Sequence, residues 1–106
     1  MEFLNQIELR GIVGNVRINK VYNTKCANIS LLTEYSYHSK DGGLVIDTVW
    51  HNVTAFESEK CKDLESITKG SKLFVKGRVK YRRYIGSDGN ERTICEINAQ
   101  EIQILQ

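Results

Sequence analysis

The sequence has no proline, and its three cysteines are far apart. Cys26, Cys61 and Cys95 are an odd number at wide spacing, which matches neither a disulfide framework nor a Cys-x-x-Cys metal site. We interpret them as small buried apolar side chains in a reducing compartment. His38 and His51 have no second metal ligand at a recognised spacing. We therefore expect neither a metal nor a cofactor.

Long apolar runs are also lacking. No run approaches the roughly 18 residues that cross a bilayer, and residues 1–5 lack the basic and apolar blocks of a signal peptide. A chain of 106 residues has room for one domain with one modest core, which we place at residues 1–106. We expect a cytoplasmic protein that has no membrane partner.

Signatures of catalysis are absent from the sequence as well. It contains no phosphate-cradling glycine loop and no paired carboxylates on neighbouring strand positions. No Ser/His/Asp or Cys/His set is brought together by its spacing. His51 is expected to be a hydrogen-bonded residue of the core or of an interface. The sequence therefore predicts a protein that is not an enzyme.

Strand signals dominate what is present. Alternating apolar and polar residues, bounded by turn residues, predict five strands at about residues 5–18, 25–37, 44–56, 71–83 and 91–105. Cys61, Leu64 and Ile67 recur every three residues and predict one short helix over residues 57–69, with Gly70 as its C-terminal cap. An all-β chain of three strands, one short helix and two strands has the element order of the OB-fold, a five-stranded barrel.

Two places in this pattern predict irregular strands. Gly11 and Gly14 interrupt the first strand, where glycine often marks a bulge or the sharp bend of a small barrel. In the fifth strand, the apolar phase shifts between Ile97 and Ile102, which predicts a bulge near residues 99–100.

The third strand carries two aromatic residues in its polar phase. The inward phase is already filled by Val45, Val49, Val53 and Ala55. Trp50 and Phe56 fall on the side of the polar residues. Nucleobases are suitable partners for exposed rings, because stacking is worth about 1–3 kcal/mol per base. The alternative is that this face packs against another subunit or under the helix.

Basic residues are concentrated near the fourth strand. Of the chain's 15 lysines and arginines, seven lie between Lys69 and Arg83, a segment that contains no acid. The rest of the chain holds the other eight together with all 13 acids, which gives it a net charge of −5. Leu73, Val75, Val79 and Tyr81 form the inward phase of this strand. The outward phase places five cations and two aromatics along one surface, in the order Lys72, Phe74, Lys76, Arg78, Lys80, Arg82 and Tyr84.

Cations neutralise phosphates and aromatic rings stack bases, so this interleaving favours a sequence-neutral site for single strands. Arg83 adds a further cation next to Tyr84, where the hairpin can project beyond the barrel. Tyr35 and Tyr37, at the end of the second strand, either extend the stacking surface or pack within their own hairpin. A solvated edge strand protected by lysines is the alternative interpretation of the charge stripe.

These features resemble the bacterial single-stranded DNA-binding proteins over nearly the whole chain. The resemblance rests on a combination of segments that are individually weak: Gly11-Ile12-Val13-Gly14, Ala27-Asn28-Ile29-Ser30-Leu31, Thr48-Val49-Trp50-His51-Asn52-Val53 with Phe56, Lys69-Gly70-Ser71, Val75-Lys76-Gly77-Arg78, and Arg82-Arg83-Tyr84 with Asp88-Gly89.

The resemblance implies an OB-fold, a homotetramer, and single-stranded DNA wrapped over aromatic and basic surfaces. It also implies a role in DNA replication, recombination and repair, and a nucleoid-associated place in the bacterial cytoplasm. The family's stacking positions fall on Tyr37, Trp50, Phe56 and Tyr84, and the family usually has tryptophan at the first and last of these. The predicted DNA-binding residues are Tyr37, Trp50, Phe56, Lys72, Phe74, Lys76, Arg78, Lys80, Arg82, Arg83 and Tyr84.

Members of that family usually continue into a flexible tail with an acidic tip that recruits replication and repair proteins. This sequence stops at Gln106, so it is expected to be either a truncated or a short form, and those partners are expected only if a tail exists. Two alternatives remain. One is a helicase-loading adaptor resembling the dimeric primosomal replication protein N, and the other is a protein-binding OB module.

Overall fold

The computed structural model describes residues 1–105, and Gln106, the last residue of the predicted domain, lies outside them. Five strands follow one another along the chain: β1 (Ile7–Val21), β2 (Thr24–His38), β3 (Leu44–Phe56), β4 (Lys72–Ile85) and β5 (Glu91–Leu105). The predicted bounds are confirmed for β3 and β5. β1 and β4 end three and two residues later than predicted, and β2 is one residue longer at each end.

The strands close into a barrel in the order β1-β2-β3-β5-β4. All neighbouring strands are antiparallel except β3 and β5, which run parallel and pair over only three positions, Asn52–Thr54 with Glu96–Asn98. This short parallel pairing closes the barrel. The prediction of an all-β, OB-type barrel from the order of the elements is confirmed.

The segment between β3 and β4 holds one short helix, and it is shorter than predicted. A single 3-10 turn spans Leu64–Ser66, and the rest of residues 57–69 is not helical. An interval of three residues is the repeat of a 3-10 helix, which rarely extends beyond one turn. Gly70 is not its cap, because the turn ends at Ile67 in an extended conformation. Gly70 instead adopts a φ of 93° in the tight turn that leads into β4.

The core consists of inward-facing strand residues and three anchors of this connection. Leu31, Leu73 and Val75 are fully buried, as the alternation predicted. The remaining members are Val13, Ala27, Ile29, Val53, Ala55, Cys61, Leu64, Ile67, Ile97 and Ile102. Complete burial of one such aliphatic side chain stabilises the fold by about 1.5–3 kcal/mol. Cys26 and Cys61 are buried free thiols, as expected, whereas Cys95 is exposed.

Both predicted bulges are confirmed. On β1, Val13 pairs with Leu31 and Asn15 with Ser30, so Gly14 has no partner of its own on β2. On β5, Glu101 and Ala99 pair with two consecutive residues of β4, so Gln100 has no partner of its own and is the extra residue. The bulge at Gly14 reverses the alternation of β1, because odd-numbered Val13 points inward while odd-numbered Asn15 is exposed.

Two hairpins extend past the barrel as two-stranded ribbons. The β2–β3 pairing continues to His38 and Leu44, although β1 pairs with β2 only as far as Leu32. The β4–β5 pairing likewise continues to Ile85 and Glu91. Residues on the inward phase of these ribbons have no core to enter. The prediction that Val45, Val49 and Tyr81 point into the core was therefore wrong: Val45 is only half-buried, and the other two are exposed.

Candidate nucleic-acid interface

The outward row of β3 carries two exposed rings that are separated by polar residues. Trp50 and Phe56 are 58% and 50% exposed, and Asn52 and Thr54 lie between them on the same side of the strand. Six residues of extended strand separate the rings by about 20 Å. The aromatic side chains that the sequence placed on the polar phase therefore point to solvent.

The strands on one side of this row add further polar groups. Across β2, Ser30 lies opposite Asn52 and Asn28 opposite Thr54. β1 continues the surface with Asn15 opposite Ser30, and with Arg17 opposite Asn28. We call this surface the β1-β2-β3-β5 face, since β5 completes it on the other side.

On that other side, β5 connects β3 to the basic strand. Glu96 pairs with Asn52 and Asn98 with Thr54. The same two β5 residues lie opposite Lys80 and Arg78 of β4. Only one strand, β5, therefore separates the cations at positions 78 and 80 from the aromatic row of β3.

Arg82 continues this basic row, but an acid holds it. Its Nε donates a hydrogen bond of 2.7 Å to Oε1 of Glu96, and its Nη2 lies 2.7 Å from the same oxygen. Tyr84, 41% exposed, follows on the same side of the β4–β5 ribbon. The structure thus brings six predicted residues to one connected surface: Trp50, Phe56, Arg78, Lys80, Arg82 and Tyr84.

Three predicted residues of β4 lie elsewhere on the barrel. Lys72, Phe74 and Lys76 are flanked on one side by β1 residues Ile12, Arg10 and Glu8, and on the other by residues 101–105 of β5. None of these neighbours belongs to the aromatic row of β3. The strand alternation that grouped them with Arg78 is correct, but barrel curvature carries the first half of β4 away from β3.

Two more predicted residues are on the opposite faces of the ribbons. The β2–β3 ladder has no bulge, and Tyr37 belongs to one of its two alternating sets of residues and Trp50 to the other. The two rings therefore point to opposite sides of the sheet. Tyr37 instead lies beside Tyr35, with ring centroids 6.1 Å apart. Arg83 lies on the other side of the β4–β5 ribbon from Tyr84, and it forms a salt bridge of 3.4 Å with Glu91.

The position of the Trp50 ring depends on the bulge in β1. A Cβ atom added at Gly14 would lie 2.4 Å from Cζ3 and 2.6 Å from Cη2 of Trp50, closer than any normal contact. The indole ring therefore rests directly on the glycine backbone. The missing side chain at position 14 lets the ring lie along the surface.

His51, next to Trp50, belongs to the opposite side of β3. Its Nε2 lies 2.8 Å from Oγ1 of Thr33, and partial burial lowers the pKa of the imidazole below its ordinary value of 6.5. This is the hydrogen-bonded structural histidine that the sequence predicted. It does not point toward the aromatic row.

Part of this candidate surface was not predicted from the sequence. Asn28 and Ser30 alternate with buried residues of β2, so their side of the sheet was readable from the pattern. Arg17 was not, because the bulge at Gly14 reverses the phase of β1. Glu96 was also missed, because its partner Arg82 is on a neighbouring strand and two positions out of register.

Within residues 1–105, no three His, Cys, Asp or Glu side chains are grouped so as to hold a metal ion. Among these residues there is also no helix of sufficient length and apolarity to span a bilayer.

Comparison with known proteins gives consistent matches. The model of the family described as "Single-strand binding protein family" matches residues 4–105. The chain is similar to the single-stranded DNA-binding protein of Neisseria meningitidis, with 32% identity over 96% of this chain and 60% of the relative. It is also similar to single-stranded DNA-binding protein 1 of Xylella fastidiosa, with 31% identity over 99% of this chain and 79% of the relative.

Two solved structures share the fold. One is the SSB of Plasmodium falciparum in complex with ssDNA, with a TM-score of 0.88, 23% identity, and coverage of 100% of this chain and 98% of that chain. The other is the single-stranded DNA binding protein of Thermus aquaticus, with a TM-score of 0.77, 22% identity, and coverage of 97% of this chain and 51% of that one. The chain spans about 60% of the length of the first curated relatives that it matches.

Proposed function

Because this chain belongs to the single-strand binding protein family, we propose that it binds single-stranded DNA independently of sequence, and without catalysis. The observation that carries the proposal is the exposed pair Trp50 and Phe56 on a polar strand face, one strand from the cations of β4. Rings stack on bases of any sequence, and cations attract the phosphates. Such binding protects single strands during DNA replication, recombination and repair.

The six grouped residues form the primary path for the DNA. Five further residues, Tyr37, Lys72, Phe74, Lys76 and Arg83, lie on other faces, and we propose that a longer strand reaches them by wrapping around the barrel. The primary path then accounts for binding of short oligonucleotides. The remaining residues contribute as the strand lengthens.

We further propose that the protein is a homotetramer of the bacterial cytoplasm, associated with the nucleoid. Residues 7–11 of β1 pair with β4 but not with β2, which leaves a strand edge for pairing with a second copy. Ile12 at the end of that edge is 45% exposed. Replication and repair proteins are proposed as partners only where the full-length chain continues into an acidic tail.

A titration with oligo-dT tests the main proposal, because Trp50 is the only tryptophan and reports on its own stacking. Saturable quenching of its fluorescence is expected. Unchanged fluorescence, together with no retention of labelled oligo-dT, would contradict DNA binding and favour the protein-binding OB module.

A further inference from the structure

The β1–β2 hairpin ends in a two-residue turn that carries an aromatic side chain. Val21 and Thr24 form the last pair of the ladder, so Tyr22 and Asn23 alone make the turn. Their φ angles are 50° and 67°, and positive φ at both central residues is the requirement of a type I′ turn. Asparagine tolerates this left-handed region, whereas a bulky residue such as Tyr22 is an outlier there.

Packing within the chain does not account for Tyr22. The residue is 98% exposed, so its ring rests neither on the barrel nor on its own hairpin. Residues that are held in sparsely populated backbone conformations are concentrated at functional sites. A strained and fully exposed aromatic residue at the tip of a hairpin is therefore a candidate for binding.

The turn lies at the end of the β1-β2-β3-β5 face, beyond Phe56. Phe56 is opposite Cys26 on β2, and Cys26 is opposite Asn19 on β1. Two inter-strand steps of about 5 Å separate Phe56 from Asn19, and a rise of about 3.3 Å per residue leads from Asn19 to Tyr22. The turn is therefore about 15 Å from Phe56, closer than the roughly 20 Å that separate Phe56 from Trp50.

The direction of the strands places these three aromatic residues in one order. β1 and β3 run in the same direction on either side of the antiparallel β2. The direction that leads from Trp50 to Phe56 along β3 therefore leads toward the turn along β1. A DNA strand that continues past Phe56 and crosses toward β1 reaches Tyr22.

The charge of the hairpin also favours a nucleic acid. Residues 9–33 contain no Asp or Glu, and their cations are Arg10, Arg17, Lys20 and Lys25. Arg17 lies on the same face as Phe56, opposite Asn28. Lys25 alternates with the outward residues of β2 and points to the other side of the sheet, where it shares a cleft with Glu57 and Glu65. The hairpin therefore attracts phosphate on the side of the aromatic row.

We propose that Tyr22 is a further stacking position for single-stranded DNA, which extends the primary path beyond Phe56. The turn holds the ring clear of the barrel, where a base can stack on it, and Arg17 attracts the phosphates of the approaching strand. The inference rests on the proposed function. It extends the binding surface to a hairpin that the family resemblance did not include among the stacking positions.

Replacement of Tyr22 by asparagine tests the proposal, because asparagine suits positive φ and preserves the turn. Tyr22→Asn should unfold at the same or a higher urea concentration, and it should bind labelled oligo-dT about fivefold or more weakly. Tyr22→Phe keeps a ring and should bind as the unmodified chain does. Asn23→Gly is the matched control, because it changes the same turn without removing the ring, and its affinity should be unchanged.

A tryptophan introduced at position 22 reports on stacking directly. In the double variant Trp50→Phe/Tyr22→Trp, it is the only tryptophan of the chain, and oligo-dT should quench its fluorescence. This measurement does not depend on the size of the affinity change.

Equal affinities of Tyr22→Asn and the unmodified chain, or unchanged fluorescence at position 22 in a double variant that binds, would overturn the stacking position while DNA binding stands. A smaller sedimentation mass for Tyr22→Asn would also overturn it, because the ring would then belong to a contact between subunits. Failure of the unmodified chain to bind oligo-dT would overturn the proposed function itself.

Discussion

The indole ring of Trp50 lies on the backbone of Gly14, with no room between them for a single methyl group. A bulge on β1 and an exposed ring on β3 are therefore one structural unit, although 36 positions separate them in the sequence. The relationship explains why the ring of an exposed tryptophan has a defined position. It also makes position 14 a test of the proposed stacking.

Gly14→Ala should displace the Trp50 ring and weaken binding of oligo-dT. The new Cβ would lie 2.4 Å from the ring, and φ at this position does not require glycine, so the ring is expected to move rather than the backbone. The loss should be at most the roughly 1–3 kcal/mol of one stacked base. The measurements are the emission spectrum of Trp50 and a binding titration.

Gly43→Ala in the β2–β3 loop is the matched control, because a Cβ there meets only ordinary contacts at 3.4 Å and beyond. Equal affinities of the Gly14→Ala and Gly43→Ala proteins would show that the position of the ring is irrelevant to binding.

Trp50→Ala and Phe56→Ala should each weaken binding of oligo-dT by about 1–3 kcal/mol, because each removes one stacking surface. Anisotropy of a labelled oligonucleotide measures this without the tryptophan signal. Tyr81→Ala is the control: Tyr81 is 70% exposed and lies on the other side of its ribbon from Arg82. If both folded variants bind as tightly as Tyr81→Ala, the aromatic row is not the binding surface.

Arg78→Ala should reduce the dependence of affinity on salt. Each phosphate contact on a single strand lowers log affinity by about 0.7 per unit of log salt, so the slope should shrink by somewhat less than one. The reduction should be similar for oligo-dT and for mixed sequences. A slope identical to that of the unmodified protein would leave Arg78 as a protective surface charge.

Lys72→Ala distinguishes the primary path from the wrapped one. Lys72 lies between Ile12 and Leu105, away from the aromatic row. A short oligonucleotide should show an unchanged salt slope, and a long one a reduced slope, because only the long strand reaches this side. Salt series with both lengths test this, and an equal effect at both lengths would place Lys72 on the primary path.

Sedimentation equilibrium at micromolar concentration should give about four times the chain mass of 12.1 kDa, in line with the proposed tetramer. A substitution of Ile12 by Glu should shift the distribution to smaller species, since the charge would be buried at the proposed β1 contact. A stable dimer in the unmodified protein would instead favour the adaptor resembling primosomal replication protein N.

His51 should make the fold less stable as the pH falls. Partial burial lowers the pKa of its imidazole in the folded state below the ordinary 6.5, so the unfolded chain takes up the proton first. Stability is therefore lost from about pH 6.5 downward, until the pH reaches the lower pKa of the folded state. Urea midpoints of the unmodified protein and His51→Gln, measured over this range, should converge on acidification. A constant difference between the two would contradict this role.

The sequence predicted the strands better than it predicted which strands are neighbours. Alternation located Trp50 on an exposed face, and glycine and phase shifts located both bulges, because these are properties of one strand. The length of the helix was overestimated because Cys61, Leu64 and Ile67 belong to an irregular connection. An irregular backbone can bury every third residue without helical hydrogen bonds.

The candidate site was predictable only within single strands. Lys72 and Arg78 share one phase of β4, yet curvature gives them different neighbours. Tyr37 was grouped with Trp50 through the family resemblance, and the ladder of β2 and β3 places them on opposite sides. Glu96 became visible only when the parallel pairing set it beside Asn52. Contacts between strands that are distant in the sequence depend on how the barrel closes, and the local periodicity of one strand does not specify how the barrel closes.

The parallel pairing of β3 and β5 has a kinetic consequence. It joins distant parts of the chain through three residue pairs, and parallel pairing is slightly weaker per residue than antiparallel pairing. Local opening of the barrel should therefore begin there. Among residues 52–54 and 96–98, the amides that donate between β3 and β5 should exchange their hydrogens before the amides of the antiparallel ladders within the barrel. On the proposed path from Trp50 to Arg78, a DNA strand crosses the β3–β5 pairing, so we expect bound DNA to slow hydrogen exchange at this pairing.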